Sequence, residues 1–219
     1  MDEAARLGLD ALLIVGDLFE SNKVKPHDLE LAVRRFRELA PLPIVLLPGN
    51  HDCLNEESIY RQFDFEAACP NLRVIKREGG ELVTLPELGL AVWGRPIQAH
   101  AEDAELFNGA PPRNGLPWHV LMAHGYFQEE RKESHNGLPI WPDEIASAEC
   151  DYIALGHLHR YQEVSQNGTK AFYSGSPMGS GLNLKIGKIL RVRLDPQEGT
   201  SVEVIQLDPE CKVGPAYPH

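Results

Sequence analysis

Two short runs of consecutive apolar residues, separated by an amphipathic segment, constrain the fold of this chain most strongly. Residues 11–15 and 44–47 are apolar at every position, which is typical of strands buried on both faces of a sheet. Between them, Pro26 opens a segment whose apolar residues share one helical face as far as Ala40. A strand, a helix of this length and a second strand form a right-handed unit with parallel strands. The sequence therefore predicts an α/β fold.

Further apolar or alternating segments predict that more strands follow along the chain. They lie at residues 72–75, 81–85, 90–93, 119–123, 151–155, 171–174, 188–194 and 202–207. The last two alternate in the manner of antiparallel strands, so a mixed sheet is expected. Segments 101–116 and 128–142, rich in Gly, Pro and charge, are expected to be surface loops, and residues 1–8 a helix. With no internal repeat or linker, the simplest organisation is one domain over residues 1–219.

Composition places the chain among soluble globular proteins. Its 219 residues are 42% hydrophobic and 24% charged, and no run approaches the roughly 18 apolar residues that span a bilayer. The first residues lack the basic-then-apolar pattern of a signal peptide, so a cytoplasmic protein is expected. The four cysteines are widely spaced and form no CxxC pair, which favours reduced thiols over disulfides or a zinc ribbon.

The formal net charge of -11, from 21 Lys and Arg against 32 Asp and Glu, bears on the choice of partner. Binding to duplex DNA depends on clustered Lys and Arg side chains that neutralise phosphates. The acidic balance therefore disfavours nucleic acid, although a local basic strip would remain compatible with it.

Polar side chains follow directly on four of the apolar runs, each beside a glycine. They are Gly16-Asp17, Gly49-Asn50-His51-Asp52, His124-Gly125 and Gly156-His157-Leu158-His159. Ligands of open α/β sheets bind outside the carboxyl ends of the strands, so these side chains are expected to meet there. One such group alone is common in turns and cores, but four in order at strand ends indicate a functional site.

The donor types in these groups predict a metal site. Carboxylate, amide and imidazole donors together suit Mn, Fe or Zn better than Ca or Mg, which prefer oxygen ligands. His157 and His159 strengthen the prediction, because alternate residues of an extended segment point the same way. One or two divalent ions are expected, with Mn the first choice. Two ions that share a carboxylate clamp phosphoryl oxygens and lower the pKa of a bound water, which suits phosphoester hydrolysis.

In kind and order, these blocks resemble the calcineurin-like metallophosphoesterase superfamily. Asp17-Leu18-Phe19-Glu20 and segments 151–156 and 173–177 are similar to the branch that contains the SbcD-type DNA repair exonuclease subunits. The similarity covers nearly the whole chain, from about residue 10 to Leu194. The resemblance implies a metallophosphoesterase-like sandwich of mixed β-sheets flanked by helices. It also implies a hydrolase that acts on phosphoric ester bonds, most simply a phosphodiesterase.

The resemblance further implies roles for individual residues. Asp17 would bridge two metals, and His159 would bind the first of them. The remaining ligands of the second metal would be Asn50, His124 and His157. His51 would face the substrate, where it stabilises transition-state charge or protonates the leaving oxygen. Asp52 has two equally weighted interpretations, one in which it orients His51 and one in which it caps the turn.

The chain departs from the family pattern at its start. The first block of the family is an Asp-x-His pair on an opening strand, but no histidine precedes Asp17 here. The first metal would then lack two protein ligands, and the strand at residues 11–15 would have unpaired backbone groups along one edge. Three explanations are open: a chain that starts late, a natural one-metal or inactive relative, and a gap filled by a strand from another chain.

A second departure concerns the far end of the sequence. SbcD-type subunits carry a DNA-gripping cap domain after the core and work with an ATPase partner, and no such domain is expected here. Together with the acidic charge, this favours a phosphoesterase that acts alone on a smaller substrate or on a single-stranded nucleic acid. The alternatives are a DNA exonuclease or endonuclease with the same site, and a catalytically impaired metal-binding or scaffold protein.

Overall fold

A computed structural model of the protein describes residues 2–98, 106–113, 115–131, 138–178 and 186–207. The helices are α1 (Asp2–Arg6), α2 (Pro26–Glu38), α3 (Ile59–Gln62), α4 (Phe65–Ala68) and α5 (Pro142–Ser147), with a 3-10 turn at Pro86–Leu88. The first seven strands are β1 (Leu12–Val15), β2 (Ile44–Leu47), β3 (Leu72–Val74), β4 (Glu81–Leu85), β5 (Leu90–Gly94), β6 (Trp118–His124) and β7 (Tyr126–Phe127). The remaining strands are β8 (Pro139–Ile140), β9 (Tyr152–Gly156), β10 (Gln162–Glu163), β11 (Ala171–Tyr173), β12 (Lys188–Asp195) and β13 (Gly199–Gln206).

The first sheet contains the parallel unit that the sequence predicts. Its order is β1-β2-β3, and β1 and β2 run parallel on either side of helix α2 in the chain. Pro26 occupies the first turn of α2, where its missing N–H costs no hydrogen bond. In the described part of the chain β1 pairs only with β2, so it is an edge strand, as the departure from the family pattern predicts. Its four side chains are half-buried, whereas all four of β2 are buried.

The second sheet has six strands in the order β10-β11-β9-β6-β5-β4. The four inner strands are parallel to their neighbours, whereas β10 and β4 run antiparallel at the two edges. The predicted mixed sheet is therefore confirmed. Strands β12 and β13 form a separate antiparallel hairpin over the predicted segments, and β13 begins at Gly199, earlier than the sequence indicates.

Strand β2 joins two parts of the hydrophobic core, because its side chains alternate between its two faces. Ile44 and Leu46 pack in a cluster with Phe36 of α2. Val45 and Leu47 pack in a second cluster with residues of β5, β6 and β9. This burial on both faces is the reason that the β2 sequence is apolar at every position.

The structure corrects the sequence-based account in several short segments. The predicted loop at 128–142 contains β8, which pairs with β7, and α5 begins at its end. Helices α3 and α4 were not predicted, since a single turn is too short to show helical periodicity. The N-terminal helix covers Asp2–Arg6 rather than residues 1–8. Residues 101–105, 114 and 132–137 of the predicted loops lie outside the described residues. Among the helices described, none is long and apolar enough to cross a membrane.

Truncation of a buried β2 side chain tests the two-sided burial of this strand. Leu46 has no exposed surface, so Leu46→Ala is expected to lower the free energy of unfolding by about 2–5 kcal/mol. The matched control is Leu31→Ala on α2, where the side chain is 37% exposed and the expected loss is below about 1 kcal/mol. Urea unfolding of the metal-free proteins measures both values, and equal losses would contradict the assigned core.

Candidate metal centre

The candidate site lies where the two larger sheets meet at the carboxyl ends of their strands. His124 ends β6, and its Nδ1 lies 2.8 Å from the carbonyl oxygen of Val15 at the end of β1. A Cβ added at Gly156 would lie 1.8 Å from that same oxygen, and one at Gly16 would lie 2.0 Å from His124 Nδ1. Glycine is therefore required at both positions for β1 to approach the six-stranded sheet this closely.

This approach brings together four side chains that the sequence predicts as metal ligands. Asp17 Oδ2 lies 3.1 Å from His124 Nε2. Asn50 Oδ1 lies 2.9 Å from His124 Nε2 and 3.0 Å from His157 Nδ1. One ligand atom from each of Asp17, His124 and His157 lies within 4.8 Å of the other two. The four predicted ligands of one metal therefore form a single cluster.

The hydrogen bonding of His124 makes this cluster suitable for a cation. Because the Val15 carbonyl only accepts hydrogen bonds, Nδ1 of His124 carries the proton. In the neutral ring, Nε2 then presents a lone pair to the carboxylate of Asp17 and the amide oxygen of Asn50. Neighbouring ligands of an octahedral ion about 2.1 Å away lie roughly 3 Å apart, which matches the observed spacing. The residues present therefore fit a divalent ion such as Mn, Fe or Zn.

Two of the four residues have an unusual backbone conformation. The φ angles of Asp17 and His157 are 54° and 100°, in the region that L-residues rarely adopt. Such conformations cost about 1–3 kcal/mol each and persist only where the surroundings hold them. The positive φ of His157 also ends the extended alternation that was expected for residues 157–159.

Burial and neighbouring charges shift the pKa values of two cluster members. Burial opposes ionisation of Asp17, but its contact with the His124 ring and the hydrogen bond from the amide of His51 outweigh burial and lower the pKa of this carboxyl. Burial, and repulsion from the His124 ring whenever that ring is protonated, lower the pKa of His157. Both shifts favour the forms that bind metal, an ionised carboxylate and a neutral imidazole.

Asp52 is fully buried and accepts four hydrogen bonds. Its Oδ1 accepts from the amides of Gly49 at 2.7 Å and Asp17 at 3.2 Å. Its Oδ2 accepts from the amide of Phe19 at 3.2 Å and the hydroxyl of Tyr60 at 2.6 Å. These partners favour the capping interpretation of Asp52. The carboxylate accepts from amides of two loops, the one after β1 and the one after β2, rather than of one turn. Tyr60 was not predicted, since no spacing or periodicity connects it to the motif.

His51 lies at the edge of the cluster with its ring exposed. Its backbone N–H donates to Asp17 Oδ1 at 3.0 Å, and its ring Nδ1 lies 3.2 Å from the carbonyl oxygen of Glu20. The ring is thus held by the loop after β1, rather than by the neighbouring Asp52 as one interpretation expects. Glu20 was not predicted as a partner, because a backbone carbonyl carries no side-chain signal.

His159 lies outside the cluster of Asp17, His124 and His157. Its side chain is exposed, and its carbonyl oxygen accepts a hydrogen bond from the amide of Ser176. The charge of His159 contributes to the lowered pKa of His157. The role of His159 as a ligand of another metal stays a prediction.

Comparison with known proteins identifies the family. The model of the calcineurin-like phosphoesterase domain matches residues 1–161. The chain belongs to the calcineurin-like phosphoesterase family. The family and the mixed α/β fold that the motifs predict are therefore confirmed.

Two curated relatives of this calcineurin-like phosphoesterase are similar over most of its length. An uncharacterized metallophosphoesterase, YhaO of Bacillus subtilis (strain 168), is 28% identical over 185 residues, which are 80% of this chain and 43% of YhaO. The DNA double-strand break repair protein Mre11 of Methanopyrus kandleri is 28% identical over 202 residues, which are 81% of this chain and 42% of Mre11. The chain thus spans less than half the length of these relatives.

The solved structure of an archaeal phosphodiesterase shares the fold. It aligns with a TM-score of 0.50 and 13% sequence identity, and covers 94% of this chain and 90% of its own. At this identity the likeness shows the fold alone.

Replacement of Asp52 by asparagine tests its role between the two loops. Asparagine offers one acceptor oxygen, and its NH2 group would face N–H or O–H donors, so Asp52→Asn is expected to lower the free energy of unfolding by about 2–3 kcal/mol. The control is Asp64→Asn, because Asp64 caps α4 by accepting from Ala67 and asparagine caps equally well. Denaturant unfolding without metal measures both, and a loss for Asp52→Asn no larger than the control's would contradict the assignment.

The lowered pKa of His157 predicts how stability depends on pH. The folded protein binds a proton at His157 less readily than the unfolded chain, so the free energy of unfolding falls as pH drops below about 6.5. His157→Gln removes this contribution and is expected to flatten the decline between pH 7.5 and 5.5. Urea midpoints of the metal-free proteins measure the difference, and parallel curves would show that His157 is not the titrating group.

Proposed function

We propose that this protein is a metal-dependent phosphoesterase, in particular a phosphodiesterase. The observation that carries the proposal is the convergence of Asp17, Asn50, His124 and His157 beside the exposed imidazole of His51. Membership of the calcineurin-like phosphoesterase family supports hydrolysis of a phosphoric ester. A bound divalent ion would supply Lewis-acid activation of the phosphoryl oxygen and of the attacking water.

The side chains of the cluster divide this work by charge and position. Asp17 is the ionised ligand, and its carboxylate has one oxygen toward His124 and the other on the amide of His51. His124 is oriented by the Val15 carbonyl, so that its Nε2 takes part in binding the ion. We assign metal binding to these two residues together with Asn50 and His157. A second ion would be held by Asp17 together with His159.

His51 is the residue that we assign to proton transfer and charge stabilisation. Because its Nδ1 donates to the carbonyl oxygen of Glu20, the other ring nitrogen, Nε2, is the one assigned to the substrate. A protonated Nε2 stabilises negative charge on a phosphoryl oxygen and then protonates the leaving oxygen. The exposed position of His51 suits this role, because a substrate approaching from solvent meets it directly.

A DNA nuclease activity of the same site is the second candidate. The observation in its favour is the similarity to Mre11 of Methanopyrus kandleri, a DNA double-strand break repair protein. The formal net charge of -11 weighs against a broad duplex-binding surface. A short or single-stranded nucleic acid is therefore the form of this substrate that fits the chain best.

Hydrolysis of bis(p-nitrophenyl) phosphate after removal and return of metal tests the main proposal. Chelated protein is expected to be inactive and to recover with Mn, because the ion supplies the Lewis acid. Asp17→Asn is expected to lower kcat/KM by about 100-fold or more, since it removes the charged ligand. The control is Asp28→Asn on the surface of α2, which should retain full activity.

Three measurements separate the main proposal from its alternatives: ester hydrolysis, Mn binding and cleavage of single-stranded DNA. Hydrolysis that persists after chelation would contradict the mechanism. Mn binding without hydrolysis would favour the catalytically impaired or scaffold relative. Cleavage of single-stranded DNA, with binding that weakens steeply as salt rises, would favour the nuclease.

A further inference from the structure

The two loops that carry Asp17 and Asn50 are connected by one buried carboxylate. Asp52 accepts from the amides of Asp17 and Phe19 in the loop after β1, and from the amide of Gly49 in the loop after β2. The loops also touch directly, since a Cβ added at Gly49 would lie 2.2 Å from Asp17 Oδ1. A rotation of the Asp52 carboxylate would therefore change the hydrogen bonds of both loops at once.

The fourth donor to Asp52 comes from a different part of the chain. Tyr60, near the start of α3, is 2% exposed and donates its hydroxyl proton to Asp52 Oδ2 at 2.6 Å. This bond is shorter than the 3.2 Å bond that Phe19 makes to the same oxygen. The torsion that orients an aspartate carboxylate is intrinsically broad, so its donors determine the direction of each oxygen. The Tyr60 hydroxyl is therefore the group best placed to fix Oδ2.

The packing of the Tyr60 ring holds its hydroxyl in place. The ring centroid lies 5.5 Å from that of Phe65 and 6.4 Å from that of Phe19. The backbone N–H of Tyr60 donates to Ser58 Oγ, which caps α3. The ring thus belongs to a buried aromatic cluster, and phenylalanine would preserve that packing while removing only the hydroxyl.

We propose that Tyr60 is a positioning residue of the metal centre, which acts by fixing Asp52 and through it the two ligand loops. The inference rests on the proposed function, since it assigns Tyr60 to the same site. Tyr60 would act through the hydrogen bonds that Asp52 accepts from the two loops. The Asp17 amide must keep its hydrogen bond to Asp52 while Asp17 itself has a φ of 54°. The Gly49 amide must keep its hydrogen bond to Asp52 so that the turn before Asn50 is maintained. Loss of the hydroxyl loosens both, so the ligands are no longer preorganised for the ion.

The test compares Tyr60→Phe with the unaltered protein by three measurements. Isothermal titration with Mn is expected to show about tenfold weaker binding, the usual effect of removing a group that orients metal ligands. The Mn concentration that half-activates hydrolysis of bis(p-nitrophenyl) phosphate should rise by the same factor, whereas KM at saturating Mn stays within about twofold. In the metal-free protein, the amide proton signals of Asp17, Phe19 and Gly49 should shift.

The control is Tyr152→Phe on β9, which removes another buried tyrosine hydroxyl. The Tyr152 ring stacks on Phe172 and lies at the start of β9, whereas His157 follows the end of that strand. Tyr152 is not among the four donors to Asp52, so the variant should bind Mn as the unaltered protein does. If Tyr60→Phe lowers Tm but leaves the Mn Kd within about twofold, or if both variants weaken Mn binding equally, the positioning role is wrong.

Different results would contradict the positioning role of Tyr60 and the proposed function. Unaltered protein that binds Mn without hydrolysing the ester would contradict the proposed function alone, and the Kd of Tyr60→Phe would still decide the positioning role. Unaltered protein that binds no Mn would overturn both. Hydrolysis by Tyr60→Phe with an unchanged Mn requirement would overturn the positioning role and leave the proposed function standing.

Discussion

The hydrogen bond between His124 and the carbonyl oxygen of Val15 is the interaction on which the rest of the site depends. It joins the end of an inner strand of the six-stranded sheet to the end of β1 in the three-stranded sheet. Gly16 and Gly156 make the approach possible, since a side chain at either position would occupy the space that His124 and Val15 use. The same bond fixes the tautomer of His124 and directs its Nε2 to Asp17 and Asn50. One contact therefore links the packing of the two sheets to the arrangement of the clustered side chains.

Two carboxylates, the fully buried Asp52 and the half-buried Asp17, place negative charge where the two sheets meet. Asp52 has no exposed surface, and its four donors are three backbone amides and a tyrosine hydroxyl, all of them neutral. Asp17 adds a carboxylate whose pKa is lowered despite burial. Buried negative charge that is held by neutral dipoles attracts a cation more strongly than the same charge in water. Asp52 thus adds negative charge beside the loops that carry two of the proposed metal ligands.

Much of this arrangement could be predicted from the sequence because it depends on local patterns. The apolar runs at β1 and β2 predicted the parallel unit, and the polar residues that follow strands predicted Asp17, Asn50, His124 and His157 as one group. The carboxyl ends of parallel strands meet at one edge, so strand assignment alone was sufficient. Where the structure has the predicted strand, the polar residue predicted at its carboxyl end lies in the cluster.

The features that could not be predicted depend on tertiary contacts or on single residues of unusual conformation. Tyr60 reaches Asp52 only because α3 packs its ring against Phe19 and Phe65, and no periodicity records that packing. The positive φ of His157 interrupts the extended geometry expected there, and no sequence pattern predicts a positive φ at a histidine. Asp17 has the same property, so two of the four non-glycine residues with a positive φ in the described part of the chain are predicted ligands.

The position of β1 at the edge of its sheet gives this site one further property. Leu12 donates its backbone N–H to Pro43, so residues 12 and 14 face β2, whereas Leu13 and Val15 direct their backbone groups away from it. The outward carbonyl of Val15 is the one that accepts from His124. All four clustered side chains come from the loops after β1 and β2 and from the ends of β6 and β9, and none depends on a side chain beyond the outer edge of β1. One ion can therefore be held by the residues described, and the number of Mn ions bound per chain is a separate question from whether this cluster binds metal.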